Sequence, residues 1–359
     1  MPPLRFPEFS DEWTETNIGS ILSICNGKDY KDLGNGNIPV FGTGGYMTSV
    51  NDYLMDGESV FIGRKGTINK PSYYKGKFWT VDTLFYTHEF IGAVPRFVLY
   101  LFENIDWLKY NEASGVPSLS KSTIEKIKIN IPKAIEQKKI SAFISLLDHR
   151  IEVQSGLIED LQKLKAALVE RLFCNKQSWK QYKYRDLLSP ISERNSGNQF
   201  SNVLSASQEL GMVSRTDLDI DIKFDRSAVT TYKIVRDGDY VLHLRSFQGG
   251  LAFSSMTGIC SPAYTILRPV KELEYGFFQE YFVSKSFINS LRLVTYGIRD
   301  GRSINVDEFL DMTVEIPDSA TQRRIISILS TMNRRLRLAI KQNENYIKQK
   351  QYLLQQLFI

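Results

Sequence analysis

Ile131-Pro132-Lys133-Ala134-Ile135-Glu136-Gln137-Lys138-Lys139-Ile140 returns later in the chain as Ile316-Pro317-Asp318-Ser319-Ala320-Thr321-Gln322-Arg323-Arg324-Ile325. The offset from Gln137 to Gln322 is 185 residues, and it holds without a gap to Leu172-Phe173 and Leu357-Phe358. Upstream, Ser118-Leu119-Ser120 falls on Ser303-Ile304-Asn305 at the same offset. A repeat this long marks two copies of one module. After the quoted stretch, the first copy places Ile140, Ile144, Leu147, Ile151, Gln154, Ile158, Leu161, Lys165, Leu168 and Leu172 in steps that alternate four and three. That alternation is the a/d seam of a heptad helix. The same positions in the second copy hold Ile325, Leu329, Met332, Leu336, Ala339, Asn343, Tyr346, Lys350, Leu353 and Leu357. Pro132 and Pro317 stand just ahead of the two helices, where proline is tolerated. The first helix is expected over residues 134–173, about 60 Å at ~1.5 Å per residue.

A helix that long with one apolar stripe is stable only when paired. Its natural partner is its own repeat, running antiparallel. Gln154, Asn343, Lys165 and Lys350 interrupt the seam. Either they fix the register, as buried polar a/d residues do, or they mark where the seam opens toward another protein.

The front of each copy varies more. Trp13 opens the first and Trp179 the second, an offset of 166, while Asp56-Gly57-Glu58-Ser59-Val60 resembles Asp237-Gly238-Asp239-Tyr240-Val241 at 181. Insertions therefore collect in the front halves, where loops carry recognition. Strands are expected at Val60-Phe61-Ile62 and Tyr240-Val241-Leu242, each after an Asp-Gly turn, and at Phe78-Trp79-Thr80-Val81 and Tyr264-Thr265-Ile266-Leu267. Short helices are expected over 94–102 and 276–282. The expected class is α+β. Two mixed α/β domains, 1–131 and 176–316, are joined by long helices, 132–175 and 317–359, packed as an antiparallel coiled coil with a pseudo-twofold internal repeat.

The 359 residues suffice for two or three domains. With 42% hydrophobic and 24% charged residues, the composition is that of a folded protein rather than a disordered one. A net charge of +5 permits a nucleic-acid partner without requiring one. Cys25, Cys174 and Cys260 are widely spaced with no CxxC, so neither a disulfide framework nor a zinc site is expected. His88, His149 and His243 form no HxxxH or HExxH pair. No signal-peptide core and no run of the ~18 apolar residues needed to cross a bilayer is found. A cytoplasmic chain without membrane contact is expected.

No constellation of catalytic residues stands out. Gly42-Thr43-Gly44-Gly45 lacks the helix and distant acid of a dinucleotide loop, and no GxxxxGK[ST] occurs. It reads as a tight turn that brings backbone close to DNA or to the core, with Thr43, Gly44 and Tyr46 as candidate contacts. The tetrapeptides Asn-Pro-Pro-aromatic and Asp-Pro-Pro-aromatic of amino-methyltransferases are absent, and no Asp…Glu-x-Lys nuclease pattern fits. Gly63-Arg64-Lys65-Gly66 follows a strand, with Lys70, Tyr73 and Lys75 beyond it. The second copy has Leu244-Arg245-Ser246-Phe247-Gln248-Gly249-Gly250 there. Arg and Lys bind guanine edges, Gln binds adenine, and Lys or Ser holds phosphates. The bland alternative is solvated turn charge. The loops before the constant part supply Ser114 and Ser118 in copy one, and Arg299, Arg302 and Ser303 in copy two. Different residues in equivalent loops imply two different readings.

From Leu119-Ser120 through Ile124, Ile127, Ile131-Pro132 and Glu136-Gln137-Lys138-Lys139-Ile140 to Leu146-Leu147-Asp148 and Ile151, the chain resembles the helical signature segment of Type I restriction-modification specificity (S) subunits. Leu4-Arg5-Phe6-Pro7-Glu8-Phe9…Trp13 and Ile38-Pro39-Val40-Phe41-Gly42-Thr43-Gly44-Gly45 are similar to that family as well. The resemblance implies two target-recognition domains, each reading one half of a bipartite, asymmetric site on double-stranded DNA. It implies helices that act as a ruler and dock two methyltransferase (M) subunits, with Glu136, Gln137, Lys138, Gln322 and Arg323 as the partner-binding residues. Restriction (R) subunits complete such complexes. The chain itself is then non-catalytic and carries no cofactor, with S-adenosylmethionine, ATP and Mg on the partners. Copy two departs from the pattern with Ala320-Thr321-Gln322 in place of Glu-Gln and with Asn333 where copy one has Asp148. These departures bear on whether the two partner contacts are equal. Rival readings are an enzyme acting alone, an orphan specificity subunit and a protein-only coiled-coil scaffold.

Overall fold

The computed structural model describes residues 2–174, 178–207, 210–217, 226–270, 273–297 and 303–358. The fold is mixed α+β and divides into two units, Met1–Gly156 with Lys341–Ile359, and Leu157–Ile340. The division falls inside both long helices, so each helix lends one half to each unit. The sequence-based boundaries, by contrast, set the helices apart as segments of their own.

The first unit contains β1 (Thr14–Asn17), α1 (Ile18–Ile21), β2 (Ser23–Asn26), β3 (Asn35–Gly42), β4 (Gly45–Val50), β5 (Met55–Gly63), β6 (Ser72–Thr80) and β7 (Leu84–His88). There follow α2 (Pro95–Asn104), α3 (Lys121–Glu125), β8 (Lys128–Ile131) and the start of α4 (Ala134–Cys174). Six strands form one sheet in the order β2-β7-β5-β6-β3-β4, antiparallel except where β3 meets β6. Alternation along β5 sends Val60 and Ile62 to one face and Phe61 to the other. The first face packs on α2, whose Phe97, Val98 and Leu101 are buried, and on Ile140, Ile144 and Leu147 of α4. Phe61 joins Phe78 and Leu84 on the opposite face, with Phe41, Tyr74 and Tyr86 around them. Pro95 supplies the first turn of α2, where its missing N–H leaves nothing unpaired.

The second unit takes the rest of α4, then β9 (Lys180–Lys183), α5 (Tyr184–Leu187), β10 (Leu188–Ile191), β11 (Leu204–Ser207), β12 (Gly211–Ser214), β13 (Lys233–Val235) and β14 (Tyr240–Leu242). It continues with α6 (Ser246–Gly249), β15 (Ala252–Phe253), β16 (Gly258–Cys260), β17 (Thr265–Pro269), α7 (Lys285–Ser290), β18 (Thr295–Tyr296), β19 (Ser303–Ile304), α8 (Val306–Asp311), β20 (Thr313–Ile316) and α9 (Ser319–Leu357). Its main sheet has the order β10-β17-β14-β15. Tyr184, Phe278, Phe282 and Phe287 form a buried aromatic core, with the Phe278 and Phe282 rings 4.7 Å apart.

One strand pair recurs. Thr14 pairs with Ile131 and Asn17 with Lys128 in the first unit; Lys180 pairs with Ile316 and Lys183 with Thr313 in the second. The offsets of 166 and 185 read from the sequence carry one pair onto the other, residue for residue. Every seam position named above is buried or half-buried in α4 and α9. Within the first unit the two half-helices run antiparallel. Lys350 Nζ lies 2.7 Å from Asp148 Oδ1, and Asn343 Nδ2 donates to Ser155 Oγ at 3.4 Å, so one number rises as the other falls.

Two local expectations need correction. Asp56-Gly57 is no turn: it lies inside β5, with Asp56 paired to Lys77 and Gly57 to Gly76. Asp237-Gly238 does form the turn. Residues 276–282 are not a helix either. They form turns and a single 3-10 turn, Tyr281–Val283, and Gly276 itself takes a left-handed φ of +75° that keeps it out of any helix.

Burial leaves a mark on the tyrosines. It pushes Tyr73, Tyr86 and Tyr275 up to about 12, helped at Tyr73 by Glu58 and at Tyr275 by Asp237. A phenol whose folded value exceeds its unfolded value of about 10 contributes stability that is complete below pH 10 and lost as pH rises toward 12. The melting temperature is therefore expected to fall steeply between pH 10 and 12, with tyrosinate absorbance and loss of circular dichroism rising together. Full ionisation of tyrosine at pH 10 in a chain with native dichroism would contradict this.

Candidate nucleic-acid interface

In the first unit, several of the sequence-predicted residues converge at one end of the sheet. Arg64, Lys65 and Lys70 sit in the β5–β6 connection. The Arg64 N–H donates to Thr83 O at 2.8 Å and its Nη1 to Asp82 O at 3.3 Å, which fixes where the loop leaves the sheet. The loop is then tied to the segment before α3. The Gly66 N–H donates to Pro117 O, the Leu119 N–H donates to Arg64 O, and Lys65 forms an isolated bridge with Ser118. Asn111 Oδ1 accepts from the N–H groups of Ala113 and Ser118, holding Ser114 on an exposed turn. Thr43, at the β3–β4 hairpin tip, comes up beside Gly66: a Cβ added there would lie 3.9 Å from Thr43 Oγ1. Lys65 and Lys70 are exposed, and neither makes an ion pair with a described residue. The acid of this loop, Glu112, is exposed but engaged by neighbouring hydroxyls. Thr123 and Ser120 donate to its carboxylate and hold it below the ordinary carboxylate range.

Two further candidates of this unit, Tyr73 and Lys75, have partners on the sheet. Tyr73 packs against the core, donates to Glu58 Oε1 at 2.5 Å and carries Arg96 over its ring at 4.4 Å. Lys75 pairs with the same Glu58 at 3.8 Å. Both residues lie on strand β6 rather than in the loop itself.

In the second unit Arg245 and Gln248 are exposed at α6, which packs against β19, the strand of Ser303. Ser246 is a correction. It is fully buried, and its Oγ accepts from the His243 N–H at 2.8 Å. It therefore shapes the turn and is inaccessible to a ligand. Burial first, and then the Arg245 charge, hold His243 below the ordinary imidazole range. The neutral ring accepts the Arg245 N–H at Nδ1 (3.3 Å). Arg299 and Arg302 lie outside the described residues.

The residues expected to bind partners prove to be largely internal. Glu136 is 2% exposed and receives Arg5 Nε and Nη2, each at 2.7 Å, with Trp13 Nε1 at 3.4 Å. Gln137 has no exposed surface. Its Oε1 accepts the Val94 N–H at 2.8 Å, and its Nε2 donates to Gly92 O at 2.9 Å and Pro132 O at 2.8 Å. Gln322 repeats the pattern with Glu274 N–H at 2.9 Å and Pro317 O at 3.0 Å. Such a glutamine fastens the long helix to the globular part of its own unit by satisfying buried backbone groups. Of the five, only Lys138 and Arg323 are exposed, and Arg323 pairs with Glu274.

Three residues missed in the sequence complete the seam. Lys350 lies 2.7 Å from both Asp148 and Glu103, and the Tyr100 hydroxyl donates to Asp148 at 2.6 Å. In the second unit Lys165 lies 2.7 Å from Glu280, which also accepts from Asn333 Nδ2 at 2.5 Å. Asn333 stands where the first copy has Asp148, and Glu280 supplies the missing carboxylate from the globular part. Heptad spacing found the lysines. Nothing local to Glu103, Tyr100 or Glu280 identified them.

Among the described residues no group of His, Cys, Asp and Glu is arranged to hold a metal ion, and no helix is long and apolar enough to cross a membrane. Residues 10–163 match the family model described as the Type I restriction modification DNA specificity domain. Over the whole chain, the fold is similar to the S subunit of a Type I restriction-modification system from M. genitalium, with a TM-score of 0.64 at 13% identity, covering 100% of this chain and 99% of that one. It is also similar to a chain from a study of complex assembly and conformational transition of the type I R-M system, with a TM-score of 0.57 at 12% identity and 97% of each chain covered.

Proposed function

We propose that this chain, whose residues 10–163 match the family model described as the Type I restriction modification DNA specificity domain, is the DNA-reading subunit of a methyltransferase complex. Each recognition domain reads one half of a bipartite, asymmetric site. The observation that carries this reading is the gathering of Arg64 and Lys65 with Ser118 and Thr43 on loops tied to one another. Tying reduces the loop entropy lost on binding, and exposed cations neutralise phosphates. Arg245 and Gln248 are the corresponding groups of the second domain. Catalysis, with S-adenosylmethionine, ATP and Mg, belongs to methyltransferase and restriction partners in the cytoplasm.

The long helices act as a ruler in this reading. The antiparallel pairing of their halves within the first unit supports this reading. With Glu136 and Gln137 occupied internally, the methyltransferase docks instead on the outer face of α4. There Ile135, Leu146 and Val153 are 75%, 63% and 57% exposed, spaced for one side of a helix. The second copy has Ala320, Thr331 and Leu338 at these places, a less apolar surface.

Co-expression with the methyltransferase, followed by mapping of N6-methyladenine in host DNA, tests the proposal. One bipartite motif that disappears when this chain is omitted is the expected result; a stable complex with no methylated motif would count against it. Removing one heptad from each long helix shortens each by about 10 Å. The spacer between half-sites is expected to shrink by about three base pairs at 3.4 Å each, with the bases read unchanged. An unchanged spacer would sink the ruler.

A further inference from the structure

The β3–β4 hairpin differs chemically from the loops beside it. No charged residue occurs from Leu33 to Asn51, a stretch that includes the whole hairpin. Its tip is nevertheless open. Tyr46 is 64% and Met47 51% exposed, and no atom lies within 4 Å of a Cβ built on Gly44 or Gly45. The tip stands beside Gly66, in the loop that carries Arg64 and Lys65.

Met47 is also seated. A Cβ added to Gly42 would lie only 2.7 Å from the Met47 sulfur, so the thioether crosses the hairpin over Gly42. Tyr46 is held separately, its hydroxyl 3.1 Å from Ser49 Oγ. The absence of a side chain at Gly42 gives Met47 its place.

We infer that this tip is an apolar reader of a thymine methyl group in the major groove, with Met47 making the contact and Gly42 setting its position. The inference rests on the DNA-reading function proposed above. A two-stranded ribbon fits the major groove, and the thymine C5-methyl is the apolar feature that a base edge presents there. An uncharged ribbon cannot hold phosphates by ion pairing; Lys65 and Lys70 alongside can, so positioning and base reading fall to different segments. A polarisable, unbranched thioether adapts well to a methyl group.

The test uses the full chain with its methyltransferase and duplexes carrying the mapped site. Deoxyuridine replaces each thymine in turn, which removes only the methyl. At one or two positions of a single half-site, affinity is expected to fall about fourfold, the equivalent of one buried methyl group. Met47→Ala should weaken binding to the thymine duplex by a similar factor and abolish the difference between thymine and deoxyuridine. Gly42→Ala keeps Met47 but displaces its sulfur, and should shrink the same difference. A deoxyuridine penalty that persists undiminished in Met47→Ala would overturn the inference while leaving the function intact. So would no penalty at any thymine. Failure of the wild-type chain to bind DNA in a sequence-dependent way would overturn both.

Discussion

Gln137→Ala is expected to destabilise the first unit by about 3–5 kcal/mol. The substitution removes three hydrogen bonds at once and leaves the Val94 N–H and the carbonyls of Gly92 and Pro132 without their partner. An orphaned buried backbone group costs about 1–3 kcal/mol, and water entering the smaller side chain's space recovers part of the total. Gln137→Glu should be no better. It preserves size, but a carboxylate presents lone pairs to two carbonyl oxygens that need a donor. Denaturant unfolding measures the effect as a lower midpoint at an unchanged slope. If Gln137 instead served mainly as a docking residue, Gln137→Ala would leave the midpoint within ~0.5 kcal/mol of wild type and weaken only methyltransferase binding. Gln322→Ala should produce the matching loss in the second unit.

This case shows where reading the sequence stops. The repetition of Gln at an offset of 185 is visible in the letters, and so is the requirement for something polar just inside each long helix. The direction in which the side chain points is not. A glutamine on the first turn of a helix reads equally well as a surface contact. Only the return of Gly92 and Val94 to that turn, from more than 40 residues away, reveals a clamp. Heptad spacing, by contrast, is a local property, and it placed both seams correctly because period alone decides which face of a helix is buried. Strands β5 and β17 were legible for the same reason. The turn at Asp56-Gly57 was misread because a β-strand tolerates glycine when a neighbouring strand closes over it, and β6 does so with Gly76 opposite.

Of the proposed interface, the letters offered residue types and not their arrangement. Arg64, Lys65, Ser114 and Ser118 stand apart in sequence, yet the bridge between Lys65 and Ser118 brings their loops together. Tyr73 and Ser246 looked like their neighbours in composition and differ in burial. Met47 offered no signal in a motif search. Its significance depends on Gly42 across the hairpin, a relation that arises only once the two strands pair. The outer face of α4 was accessible in principle: Ile135, Leu146 and Val153 lie off the a/d seam, and apolar residues off a seam call for a second partner.

Lys350→Met is expected to cost about 3 kcal/mol, whereas Asp148→Asn should cost about 1 kcal/mol or less. Lys350 is surrounded by Glu103 and Asp148, and removing the one cation strands two carboxylates at a packed seam. The lower end of the usual range applies because Asp148 keeps about a third of its side-chain surface in water. Asp148→Asn leaves Lys350 with Glu103 and keeps an acceptor for Tyr100, and the second copy already uses asparagine at this position. The two variants can be told apart by pH as well. Burial raises Glu103 above the ordinary carboxylate value of 4.5, and Lys350 is the group that chiefly opposes the rise. Without Lys350 the folded value climbs further. An acid with a raised folded value gains stability for the fold as pH drops through that value, because the folded chain takes up the proton first. The deficit of Lys350→Met should therefore be largest near neutrality and narrow as pH falls toward 4.5, and Glu103→Gln added to Lys350→Met should recover part of it at pH 7. A deficit independent of pH, and unmoved by Glu103→Gln, would mean that Lys350 acts through its aliphatic stem and its 5.4 Å approach to the Tyr100 ring, leaving the seam's charge pairing without a role in stability.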